Sequence, residues 1–184
     1  VEMGVIALYM SRVYSWYTGY CIMDLEPKIK AALDQMKAQN RSLWYEMTHI
    51  CYEAILILID RADDPAVTDG CLQNLEQGSQ RLDEILQTAN LEIQIFLCSA
   101  AIHKMIVHYH LGEYDKALEM AKRSRNARKI LGTSMAVPCQ VSYDAFACTA
   151  VLRQRKSSPI KNRLLLRQTR NCLAYLKKVA ASVP

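Results

Sequence analysis

The chain has 184 residues, of which 51% are hydrophobic and 22% charged, with a formal net charge of +5. That is enough apolar material for a continuous core, which excludes a disordered polymer. With only 6 Gly and 5 Pro, it also lacks the turn signal roughly every 8–12 residues that a β-sandwich or barrel needs.

Helical periodicity accounts for nearly all of the rest. The first predicted helix covers Val5 to Tyr20, and its aromatic run Tyr9, Tyr14, Trp16, Tyr17 and Tyr20 reads as packing surface. Asp24 is placed to cap a second helix, with Pro27 in its first turn and Ile29, Leu33 and Met36 facing inward as far as Ala38. A third helix, Ser42 to Arg61, is apolar over more than half its circumference and should pack on both sides. Asp-Pro, Asp-Gly and Gln-Gly-Ser in residues 63–79 predict a connection, with at most a turn of helix at Cys71–Glu76. A short fourth helix follows, Gln80 to Thr88.

The fifth helix, Leu91 to His110, and the sixth, Tyr114 to about Leu131, flank a tight break at Leu111-Gly112-Glu113. Gly132 suits the position after the sixth helix, where a left-handed backbone closes the end. The seventh helix starts at Pro138 and shows Val141, Ala145, Cys148 and Leu152 on one face. Ser158-Pro159 is an N-cap followed by an N1 proline, and opens an eighth helix that reaches about Ala181. No segment alternates with period two. Short connections make neighbouring helices antiparallel. The reading is therefore an all-α fold, a right-handed stack of antiparallel helix pairs over residues 1–184 as a single domain.

No basic stretch precedes an apolar run, so no signal peptide is recognisable, and the most apolar run, Ala54 to Ile59, is far below the ~20 residues that span a bilayer. The chain begins with Val and ends at Ser182-Val183-Pro184, so it reads as a fragment of a longer one. Its seven cysteines include no CxxC pair and lie mostly in apolar helical patterns. They read as reduced core residues, which places the protein in the cytoplasm.

Sites for chemistry are sparse. His103, His108 and His110 lie near Cys98, but one helix face holds a metal through ligands at i and i+4, a spacing absent here. His49 and Cys51 are two apart and cannot face each other on a helix. Nothing matches a phosphate-binding glycine loop or a calcium loop. The chain is expected to hold no catalytic, cofactor or metal site.

Charge is the stronger signal. Residues 1–120 carry nine Lys/Arg and seventeen Asp/Glu, whereas residues 121–184 carry fourteen Lys/Arg and one acid, Asp144. On the fifth and sixth helices, His103, His110, Lys122, Arg125 and Arg128 are the candidate partner contacts. Arg153, Arg155, Lys156, Lys161, Arg163, Arg167 and Arg170 form a basic patch that could instead meet nucleic-acid phosphates or another acidic surface.

Gly112, Tyr114, Ala117 and Ala121 fall where a tetratricopeptide hairpin has its turn glycine, first aromatic and small packing residues. Three blocks carry a wider resemblance: Met23 to Lys30, the stretch Ile102 to Ala121 containing HYHLGEYDKALEMA, and Val137 to Phe146. From about Trp16 to the C-terminus, in matching order, the chain resembles the tetratricopeptide-like helical repeat region of very large signalling proteins. Those proteins join a kinase-like domain and a predicted AAA-type ATPase to helical repeats, then a GAF domain and a histidine kinase. The resemblance implies a non-catalytic scaffold that links an ATP-dependent switch to a signalling output through protein contacts. It places none of that family's catalytic residues here.

Overall fold

The computed structural model describes residues 21–38, 42–60, 65–85, 91–132, 134–154 and 158–182. Their regular structure is entirely helical: α1 Ile22–Ala38, α2 Ser42–Asp60, α3 Pro65–Ile85, α4 Leu91–His110, α5 Tyr114–Ser124, α6 Ala127–Ile130, α7 Ala136–Arg153 and α8 Pro159–Ala181. Helices pack on chain neighbours: α1 on α2, α2 on α3, α5 and α6 on α7, and α7 on α8. This is the all-α arrangement expected of stacked helix pairs. The expected helix at Val5–Tyr20 lies outside the described residues. The chain forms two compact units, one ending at His103 and the other beginning at Lys104.

In the first unit, α2 is the central element. α1 buries Leu25, Ile29, Ala32, Leu33 and Met36 in a single stripe. α2 buries Met47, Ile50, Cys51, Ala54, Ile55 and Ile57, which together face both α1 and α3. Each fully buried Ile or Met stabilises the fold by roughly 1.5–3 kcal/mol relative to exposure. Tyr52 donates to Glu26 across the α1/α2 seam (2.8 Å), and Trp44 meets Phe96 edge-on at 4.8 Å. α1 also begins earlier than the Asp24 cap implies: Ile22 is already helical, Asp24 lies in the first turn, and Pro27 lies inside the helix.

The connection expected over residues 63–79 and the separate helix from Gln80 are corrected: Pro65 to Ile85 is one helix. Cys71, Leu75 and Leu82 are buried along one face, and Gly78 is on the same face. That periodic burial outweighs the ~1 kcal/mol cost of each internal glycine. A Cβ on Gly78 would stand 3.2 Å from Ile50 Cγ1. The glycine permits the close approach of α2 and α3.

In the second unit, α4 ends as the sequence indicates. Gly112 has φ +78, its N–H bonds to the Tyr109 carbonyl (3.1 Å), and the Glu113 N–H bonds to the His108 carbonyl (2.9 Å). This pair of bonds is the Schellman closure that favours glycine. Gly132 is likewise left-handed, at φ +58. The core of the unit joins Ala117 and Leu118 of α5, Ala147, Cys148 and Val151 of α7, and Leu165 of α8. Ser158 accepts the Lys161 N–H (3.3 Å) ahead of Pro159, the expected cap. α7 starts at Ala136, two residues before Pro138, with Ser134 accepting the Ala136 N–H.

The sixth predicted helix is also corrected, because it breaks after Ser124 into α5 and α6. The buried Ser124 hydroxyl donates back to the Met120 and Ala121 carbonyls. The Arg125 N–H bonds to Lys122 in a tighter turn. Hydroxyl back-bonding of this kind competes with the helical ladder.

Candidate functional site

The break after Ser124 points Arg125 at α7. There its guanidinium grips Asp144 with both arms, Nε to Oδ2 and Nη2 to Oδ1, each 3.0 Å. Asp144 is 1% exposed, so it must be fully paired. Gln168 Nε2 of α8 donates to Oδ2 at 2.6 Å. The Cys148 thiol donates to Oδ1 at 3.5 Å, and the Cys172 thiol lies 3.9 Å from Oδ2. Burial pushes both thiols up, Cys148 to about 12 and Cys172 to about 11, so both stay protonated and can donate. Burial alone would lower the Arg125 pKa, but the hydrogen bonds and charge of Asp144 outweigh it and the net shift is upward. One carboxylate thus ties the end of α5, α7 and α8 together.

The same arrangement holds one edge of a groove between α5 and α8, about 400 Å³ in volume. Leu118, Leu164 and Leu165 form its apolar lining, and Lys122, Arg125, Lys161 and Arg167 supply four cations. Lys161 makes a loose, exposed contact with Asp115 (3.5 Å). Among the described residues, Lys122 and Arg167 have no carboxylate partner. With Arg125 neutralised by Asp144, Lys122, Arg167 and the loosely paired Lys161 leave a net positive potential over the low-dielectric leucines.

Helical geometry separates this groove from a second one. At about 100° per residue, Lys161, Leu164, Gln168 and Asn171 fall on one flank of the buried Leu165–Cys172 stripe of α8, and Thr169 and Leu173 fall on the other. The second flank borders a cavity of about 560 Å³ lined by Tyr109, Tyr114, Phe146, Thr149 and Arg153. Tyr109 is at the centre of that aromatic group, 5.6–5.8 Å from Tyr114, Tyr143 and Phe146.

The candidate residues therefore part company. Lys122 and Arg125 meet Lys161 and Arg167 of the basic patch in the first groove. Arg128 lies over the Tyr175 ring at 3.8 Å, and Arg153 borders the aromatic cavity. Arg163 and Arg170 are exposed on α8. Arg155 and Lys156 lie outside the described residues. His110 shares a 2.8 Å hydrogen bond with Tyr143, whose phenol burial pushes up to about 12. His103 is a correction: it is fully buried and cannot face a partner, and burial lowers its pKa to about 3, so it is neutral.

Periodicity does not reveal Leu118, Leu164, Gln168 or the role of Asp144. The signal for Asp144 is compositional, since it is the one acid among fourteen cations. Among the described residues, no group of three or more His, Cys, Asp or Glu is arranged to hold a metal, and no helix is long and apolar enough to cross a membrane. Comparisons with protein-family models, curated proteins and solved structures give no match to this chain.

Proposed function

We propose that this chain is a non-catalytic helical scaffold making protein–protein or interdomain contacts within a cytoplasmic signal-transduction ATPase or kinase. The observation that carries this reading is the outer surface of α8. Ile160, Leu164, Leu166 and Leu173 are 74%, 60%, 47% and 49% exposed on a helix firmly anchored by Leu165 and Cys172. Apolar side chains held out by a rigid helix and interspersed with arginines have the composition of a docking surface. The resemblance to helical repeats of signalling proteins supports the setting. Seven free cysteines support a reducing compartment. The test is a pull-down of the tagged chain against kinase-like, ATPase and histidine-kinase modules of that architecture. Binding to at least one module is expected, and binding to none overturns the reading.

One observation favours a second reading, in which the basic end binds nucleic acid. Arg163, Arg167, Arg170, Lys177 and Lys178 are all exposed and recur along the face of α8 opposite Leu165. Binding through such a row would weaken steeply with salt, by about one power of salt concentration per phosphate neutralised. A flat salt response excludes it.

A further inference from the structure

Resting on the scaffold reading, we infer that the groove between α5 and α8 receives an acidic, amphipathic helical segment of a partner protein, its apolar stripe on the leucines and its carboxylates against the flanking cations. Three observations set the chemistry of the occupant. First, the lining is mixed in a fixed order. Leu118 and Leu165 are buried beneath, Leu164 is 60% exposed at the mouth, and cations stand on both walls: Lys122 and Arg125 on one, Lys161 and Arg167 on the other. A segment with one apolar stripe flanked by acids matches both components at once.

Second, the charge is only partly compensated: Lys161 has a loose contact with Asp115 (3.5 Å), and Lys122 and Arg167 have no carboxylate partner among the described residues. Residues 121–184 hold fourteen cations and a single carboxylate, and that carboxylate is buried against Arg125. Glu119 of α5 is already engaged by Arg123 (2.8 Å). Carboxylates for Lys122 and Arg167 are left for the partner to supply. Third, the site is built before the partner arrives. Asp144, itself held by Gln168, fixes Arg125 in one rotamer, so little of that side chain's freedom is lost on binding.

A polyphosphate strand fits less well. It would lay charged oxygens over Leu164 and leave the apolar lining without a partner, whereas a leucine stripe removes both from water.

The probes are a labelled helical peptide of about 18 residues with one leucine stripe flanked by glutamates, a permuted peptide of the same composition, and a single-stranded oligonucleotide of equal charge. Binding to the full chain is read by fluorescence anisotropy at physiological salt. The patterned peptide should bind at least about tenfold tighter than either control. Lys122→Glu and Arg167→Glu should each weaken it by about tenfold, and Leu164→Gln by several-fold, while Lys177→Glu, outside the groove, leaves it unchanged. All four positions are exposed, and circular dichroism checks that each variant keeps its helix content.

Equal binding of the permuted peptide overturns the groove. Tighter binding of the oligonucleotide overturns the partner class. A concentration-dependent dimer that Lys122→Glu dissolves overturns the occupant in favour of a second copy. If the peptide fails while a signalling module is still captured, this inference falls and the scaffold reading survives.

Discussion

Up to His103 the chain carries seven Lys/Arg and fourteen Asp/Glu; from Lys104 on it carries sixteen and four, so the two units have net charges of −7 and +12. The acidic unit spreads its carboxylates along helix seams, where each has a separate and partly exposed partner: Glu26 with Tyr52, Glu46 with Arg81, and Glu53 with His49 and Asn74. The basic unit concentrates its polar bonding on Asp144, which takes Arg125, Gln168 and two thiols at one buried point. Distributed ties should be individually dispensable. A shared one should not.

The largest test of that contrast is Asp144→Ala, which leaves Arg125 and Gln168 facing a void and should cost about 3–5 kcal/mol in denaturant unfolding. Tyr52→Phe removes one hydrogen bond at a half-buried seam and should cost only about 0.5–1.5 kcal/mol. Similar losses from both would break the comparison.

Acid should next separate the units. His103 is neutral when folded, with its pKa lowered to about 3 by burial, against an ordinary 6.5. The unfolded chain takes up its proton first, so stability present above pH 6.5 is lost progressively as pH falls toward 3. Between pH 6.5 and 5 the loss should approach about 2 kcal/mol, and His103→Gln should flatten that slope. In the other unit, burial raises the Glu113 pKa, but hydrogen bonds and charge from Lys116 and His108 outweigh it, and the net value lies below the ordinary 4.5. Its contribution persists until pH falls below 4.5. Hydrogen exchange read separately in α2 and α5 distinguishes the two acid responses.

A smaller effect sharpens the picture of the acidic unit. Gly70 and Gly78 share α3, but a Cβ on Gly70 meets nothing within 4 Å, whereas one on Gly78 crowds Ile50. Gly70→Ala should stabilise by about 0.5–1 kcal/mol through helix propensity. Gly78→Ala should show no such gain in thermal unfolding. The smallest perturbation is chemical. Cys21 is exposed, while Cys51, Cys71, Cys98, Cys148 and Cys172 are buried. Alkylation of the native chain should label Cys21 first and the buried thiols only after unfolding, as read by peptide mass.

Much of the fold is legible because helix ends are local chemistry. Ser158-Pro159, Gly112 and Gly132 each dictate a backbone state through their own atoms, and the structure places each as the sequence implies. α3 is not legible in the same way, because Gly70 and Gly78 signal breaks locally, while the burial of Leu75 and Leu82 that overrides them depends on α2. The end of α5 is hidden for a different reason: a serine bonding back to its own helix is also compatible with an unbroken one, and the partner that takes up Arg125 is Asp144, nineteen residues on. The site is half legible. Charge points to Lys122, Arg125, Lys161 and Arg167, but only the packing of α8 shows that they share one groove, and that His103 does not.

The seam between α2 and α3 has a further consequence. As one partner advances seven residues along α2, from Glu46 to Glu53, the other retreats seven along α3, from Arg81 to Asn74, with Ile50 over Gly78 between them. Three unrelated contacts specify a single alignment, so sliding the hairpin by one turn would mismatch all of them together. Lengthening either helix at its outer end leaves this alignment intact. A single inserted residue between Glu46 and Glu53 would swing the contacts beyond it about 100° out of phase with those before it, so a change of length inside this stretch breaks the alignment.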